Sequence, residues 1–222
     1  MKGLLLPAFS AILLFSCIKG NNFPRVETIT LGSKWGLTIG SSPEDVYRQL
    51  QTLGSEKNFS HVAVVGRQPF SKPPDVENLV GLYDAITLQS NSGVVDRVII
   101  EFLRDSINYI SAGGGLPGEV VQWPQGAPDE TAFHKGDAVD RIYPKLLAVY
   151  QMPAYSGYQI ILPDKPLAKP FDQDMAKYEQ WGFSMAERIK PQVEGIYSVR
   201  LFFQNGKLSK IWYQYNEGTV VN

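Results

Sequence analysis

QPFSKPPD, from Gln68 to Asp75, and KPLAKPFD, from Lys165 to Asp172, carry the same Pro-x-x-Lys-Pro-x-Asp spelling in one chain. Each follows an apolar run at the same distance, Val64-Val65 in one place and Ile161-Leu162 in the other. The runs HVAVVG (His61 to Gly66) and YQIIL (Tyr158 to Leu162) are rich in β-branched residues and bounded by breakers, so they read as short buried strands. Pro69 and Pro166 then fix φ just past each strand, and Pro73 and Pro170 push the residue before them toward extended backbone. Lys72 and Lys169 read as solvated turn residues, and Asp75 and Asp172 as caps for the next stretch of chain.

The correspondence extends in both directions. Upstream, IGSSPEDVYRQLQTL parallels HKGDAVDRIYPKLLAV, with Gly40, Tyr47 and Leu50 recurring as Gly136, Tyr143 and Leu146. Ser42 can cap a first helix, Pro43 suits its first position, and Val46, Leu50 and Leu53 share one face, with Gly54 to close it. Pro144 is tolerated only in a first turn, so the second helix is predicted to begin near Asp140 to Tyr143. Downstream, Asn205-Gly206 sits between alternating strands in RLFFQNGKLSKIWYQY and predicts a hairpin. AITLQSNSGVVDRVIIEF reads as its counterpart, turning at Asn91-Ser92-Gly93. The apolar spacing of Met175, Tyr178, Met185 and Ile189 predicts an additional helix or two, broken near Gly182.

These readings converge on an α+β chain of two tandem repeats, each a helix packed on an antiparallel sheet that ends in a β-hairpin. Residues 1–16 form a signal peptide, 17–25 a tether, 26–110 the first repeat, 111–119 a linker, and 120–218 the second repeat with its helical insertion. The linker is placed in the glycine-rich SAGGGLPG, from Ser111 to Gly118. No Gly-Lys-Ser/Thr follows those glycines, so a phosphate loop is excluded.

The leader carries the clearest functional information. Lys2 provides a positive n-region, and Leu4 to Phe15 is an apolar stretch shorter than the roughly 20 residues of a membrane span. It ends in Leu14-Phe15-Ser16-Cys17, which resembles a bacterial lipobox. That resemblance implies cleavage before Cys17, acylation of its thiol with palmitate-type chains, and anchoring by more than one chain. Ile18 in place of aspartate implies the outer membrane. Cys17 is the one cysteine of the 222-residue chain, which removes disulfides and thiolate metal sites from consideration.

Composition narrows the rest. With 21 basic and 22 acidic residues the net charge is −1, without the basic surplus of a nucleic-acid binder. His61 and His134 stand in different halves, and neither a Gly-x-Ser-x-Gly elbow nor a His-Glu-x-x-His helix occurs. Asp164, Asp172 and Asp174 are candidate cation ligands, but the glycine and distal glutamate of a calcium loop are missing, and an acid-rich helix start explains them as well. The sequence therefore calls for no catalytic residue, no metal and no cofactor; the expectation is not an enzyme.

Binding has more to draw on. Leu201 and Phe203 alternate with Phe202, while Ile211, Tyr213 and Tyr215 alternate with Trp212, so both faces of the second hairpin are apolar or aromatic. One face is expected to meet the helix and the other to be covered by the other half or offered to a partner, with Phe202, Trp212, Tyr213 and Tyr215 as the contact residues.

IGSSPEDVYRQLQTLG ahead of an antiparallel sheet resembles the small outer-membrane lipoproteins of the β-barrel assembly machine. Doubling of such a unit resembles the β-lactamase-inhibitor-protein fold, which implies partner binding on a sheet. The expected function is a membrane-anchored cell-envelope lipoprotein, in the outer membrane, that binds another envelope or secreted protein. Two alternatives stand beside it. One is an immunity or enzyme-inhibitor protein. The other is a periplasmic hydrolase or ligand-binding protein with a cleft between the halves, where Tyr155, Tyr158 and Trp181 stack a sugar.

Overall fold

The computed structural model of the protein describes residues 23–91, 96–113 and 118–219. The expected signal peptide, Cys17, and Ser92-Gly93 of the expected first turn lie outside them. The described elements are β1 (Arg25–Ile29), α1 (Pro43–Lys57), β2 (His61–Val64), β3 (Ala85–Gln89), β4 (Arg97–Leu103), β5 (Ser106–Gly113), β6 (Gly118–Glu119), α2 (Ile142–Tyr150), β7 (Gln159–Ile161), β8 (Lys165–Pro166), β9 (Gln180–Lys190), β10 (Val193–Gln204) and β11 (Lys207–Thr219). Short 3-10 turns and two hairpins of two-residue strands, Ser33–Lys34 with Leu37–Thr38 and Gln122–Trp123 with Phe133–His134, occupy the connections.

Local chemistry explains both helices. Ser42 Oγ accepts from the Asp45 N–H at 3.2 Å and donates to the Asp45 carboxylate at 2.6 Å, and Pro43 opens α1. The helix runs through Gly54 and stops at Asn58, whose φ of 56° is left-handed. Gly54 is needed for a different reason than closure: a Cβ there would meet Phe59 O at 2.6 Å and Leu167 Cδ1 at 2.8 Å. In α2, Pro144 lies in the first turn as expected.

Two antiparallel sheets dominate. One has six strands in the order β1-β11-β10-β9-β2-β8, and the other five in the order β7-β3-β4-β5-β6. Strand accounts for 43% of the described residues and helix for 21%. The chain is therefore mostly β, and this corrects the expected α+β class of two tandem helix-on-sheet repeats.

The consecutive arrangement fails as well. Val46, Leu50 and Leu53 of α1 pack with Trp181, Leu201 and Ile211, from the far end of the chain. Ile142, Leu146 and Val149 of α2 pack with Ile86, Ile100 and Ile110, from well before it. Each core thus combines a helix from one side of the expected linker with long strands from the other. The described ends of the expected linker are themselves strand: Ser111 pairs with Glu119 and Ala112 with Gly118. The octamers mark where the chain passes between the cores, out after β2 and back after β7. They are not copies of one turn, because Asp75 lies within a 3-10 turn (Pro73–Val76) whereas Asp172 caps another (Gln173–Lys177).

The expected helical insertion is also corrected. After the turn at Gln173–Lys177 the chain becomes β9, in which Trp181, Phe183 and Met185 point inward. A four-residue spacing is a multiple of the strand period and close to the helix period, so Met185 and Ile189 could not discriminate.

The second hairpin forms as read, with Asn205 and Gly206 at φ 51° and 67°. The strands of the other expected hairpin also pair as read, Ile86 with Ile100 and Leu88 with Val98, while Ser92-Gly93 between them lie outside the described residues. The hairpin that matches the Asn205-Gly206 one in turn geometry is β4–β5, with Arg104 and Asp105 at φ 51° and 58°. Both hairpins carry a bulge just before the turn, at Glu101/Phe102 and at Phe202/Phe203. Gly40, at φ 93°, donates to Leu208 O at 2.8 Å, and Gly136, at φ 96°, donates to Ile107 O at 2.7 Å. Those two matched glycines clamp each helix start to a hairpin from the opposite half.

Candidate binding face

In the six-stranded sheet, side chains that point inward meet α1 and the others form an outer face. Phe202 and Trp212 are on the outer face, both half-buried. Tyr213 is on the inner face, only 5% exposed, and its hydroxyl donates to Glu27. Tyr215 also points inward, with Tyr197 at 4.8 Å and Phe23 at 5.5 Å between ring centroids. The four expected contact residues therefore do not form one patch, because odd and even positions of β11 face opposite ways.

What accompanies Phe202 and Trp212 is cationic. Arg200 stands opposite Gly182 on one side and Trp212 on the other, with Ala63 and Thr28 completing the row. A Cβ at Gly182 would come within 2.6 Å of Arg200 Nη1, so the missing side chain lets the arginine lie across β9. Lys210, opposite Phe202, holds its ammonium 3.8 Å from that ring's centroid. The adjoining row is Ser184, Ser198, Gln214 and Val26. A cleft of about 350 Å3 opens here, lined among others by Ala63, Gly182, Ser184, Ser198 and Arg200. Asp164 and His61 line it as well. The His61 ring is already engaged, 2.8 Å from Asp84 Oδ2 and 2.8 Å from Ser60 Oγ.

Behind this face, a charged network holds the two cores together. Asp172 is fully buried and accepts from Arg67 at 2.8 Å and from the Tyr83 hydroxyl at 2.6 Å. Arg67 also donates to Tyr83 and, at 3.3 Å, to Asp174. Lys165 is likewise fully buried; its Nζ donates to Leu82 O at 2.9 Å and lies near the rings of Tyr47 and Tyr83. Burial pushes its pKa down to about 8. Burial moves the Tyr47 and Tyr83 hydroxyls upward, reinforced in both by the charge of Asp172. These groups join strands and turns of both halves, which is a structural task. Asp172 and Asp174 are thus neutralised by Arg67 and Lys177 rather than free for a cation, and Asp164 stands exposed.

The remaining candidates separate. His134 lies near Asp129 and Asp137 in a cleft of about 510 Å3 that also includes Arg141 and Lys145, remote from the partners of His61. Lys145 is buried there on Asp137 at 2.6 Å. Among the described residues no group of three His, Cys, Asp or Glu side chains could hold a metal. Trp181 is fully buried in the first core, whereas Tyr155 and Tyr158 stack with Trp123 against the second. The imagined sugar platform is not assembled.

Sequence reading missed Arg200, Lys210 and Gly182 because their significance is a cross-strand register. The residues opposing them are fixed only when β9, β10 and β11 pair. It missed the Arg67–Tyr83–Asp172–Lys165 network for the same reason, although Lys165 and Asp172 stand in the second octamer. Comparison with protein families, with curated proteins and with solved structures found no match to this chain.

Proposed function

We propose that the protein is a lipid-anchored cell-envelope lipoprotein, seated in the outer membrane through Cys17, that binds another envelope or secreted protein on the outer face of its six-stranded sheet. The observation that carries the binding part is the juxtaposition of Phe202 and Trp212 with Arg200 and Lys210 on one sheet face, where Arg200 also lines an open cleft. Tryptophan and arginine are the side chains whose removal most often weakens an interface. The anchoring part is supported by Leu14-Phe15-Ser16-Cys17 and by Cys17 being the chain's one cysteine. The two parts agree in geometry. Five residues lie between Cys17 and Phe23, a reach of at most roughly 20 Å, so the edge of this sheet at β1 stays close to the membrane.

Anchoring is tested by labelling cells with a palmitate analogue. The wild-type chain takes the label and Cys17→Ser does not; equal labelling of both would refute the anchor. Binding is tested by placing a photo-crosslinking amino acid at Gln214, on the outer face beside Trp212, and at Thr87 on the five-stranded sheet. An adduct from position 214 in cells, absent from 87 and lost with Trp212→Ala at unchanged Tm, is the expected result. No adduct from 214 in cells overturns the assignment of this face.

A further inference from the structure

We infer that the partner of the outer face is an acidic polypeptide, received as an extended segment along the cleft lined by Ala63, Gly182 and Arg200. The inference rests on the contact face proposed above and adds the chemistry of what it takes. Three central rows of this face contain Arg200 and Lys210 and no carboxylate: Gln180-Phe202-Lys210, Ala63-Gly182-Arg200-Trp212-Thr28, and Ser184-Ser198-Gln214-Val26. Among the described residues Arg200 makes no ion pair, although acidic and basic residues are nearly equal in number in the chain. An exposed guanidinium held over a glycine, next to an indole, is set to donate two parallel hydrogen bonds to a carboxylate. Of the acids near the face, Asp84 is engaged by His61, and Asp164 lines the cleft outside these three rows.

The shape favours a polypeptide over a flat anionic surface. The cleft of about 350 Å3 is lined by the small side chains of Ala63, Gly182, Ser184 and Ser198, so it is recessed beside Arg200. A chain with acidic side chains on alternate positions places its carboxylates roughly 7 Å apart on one side, within reach of both Arg200 and Lys210.

The test uses the full chain and three probes: a synthetic peptide of alternating glutamate and valine, its lysine-for-glutamate counterpart, and phosphatidylglycerol vesicles. The glutamate peptide is expected to bind with salt-sensitive affinity and the lysine peptide not at all. Arg200→Glu is expected to weaken binding at least about tenfold, while Arg97→Glu on the other sheet leaves it unchanged. Gly182→Ala provides a second route, since its Cβ displaces Arg200 without altering charge; it should also weaken binding at unchanged Tm. Failure of the glutamate peptide to bind, equal weakening by Arg200→Glu and Arg97→Glu, or binding of vesicles alone each overturns the inference. A crosslink from position 214 that survives Arg200→Glu leaves the contact face standing and removes its acidic partner. Loss of every crosslink removes both.

Discussion

The two sheets share a construction and differ in what they show to solvent. In each, a three-strand meander has a left-handed two-residue turn, a bulge beside it and a glycine clamp to the helix start. Their inner faces are equivalent in kind: Leu50 and Leu146 are both fully buried, as are Leu201 and Ile100. Their outer faces are not. The five-stranded sheet presents Ala85, Thr87, Glu101, Arg97 and Tyr109, with both signs of charge interspersed. The six-stranded sheet presents two aromatics and two cations with no acid between them. Folding constrains the inner face, because each apolar side chain removed from water there contributes to stability. The outer face is under no such demand, so its composition can differ between the two sheets.

If that division holds, substitutions should sort by face. The largest effect is expected where the cores meet. Asp172→Asn leaves the buried Arg67 with the more distant Asp174 as its remaining anion and is expected to cost about 3 kcal/mol, read from urea unfolding. Leu50→Ala and Leu146→Ala should each cost roughly 3 kcal/mol, and similar values from the two would support the equivalence of the inner faces. A value near zero for either would mean that its core does not carry the fold.

Lys165 offers a pH-dependent contrast. Its folded pKa is lowered to about 8 by burial, so between pH 8 and 10 the unfolded chain binds more protons than the folded one. Stability is therefore expected to rise across that window, by up to about 2 kcal/mol. Above pH 10 it should fall, because Tyr47 and Tyr83 hold their protons longer when folded. Lys165→Met should flatten the rise between pH 8 and 10; a rise that persists unchanged would assign it to another group. The smallest effect belongs to the outer face, where Arg200→Ala should change stability by less than about 0.5 kcal/mol. A loss of several kcal/mol there would show that the arginine serves the fold and not a partner.

Local chemistry made much of this legible beforehand. The Ser42-Pro43 start of α1, the position of Pro144 in α2, the strands at His61 and Gln159, and the Asn205-Gly206 turn all follow from neighbouring residues. Errors arose where the signal was ambiguous or distant. The spacing through Met185 and Ile189 suits helix and strand alike, and β9 won because Trp181 and Phe183 pair against Leu201 and Val199. The β4–β5 turn carries no glycine signal, because Arg104 and Asp105 adopt the left-handed conformation without one.

The sequence by itself determined that Cys17 is the chain's one cysteine and which side of each helix and strand is apolar. Periodicity names the face to be buried and is silent on what buries it. Only the tertiary structure decided that α1 meets strands from the chain's far end, that the octamers are crossings between two cores, and that Arg200 lies between Gly182 and Trp212. Those facts are set by strand pairing over long separations, where the energy of contact depends on register and is carried by no local run of residues.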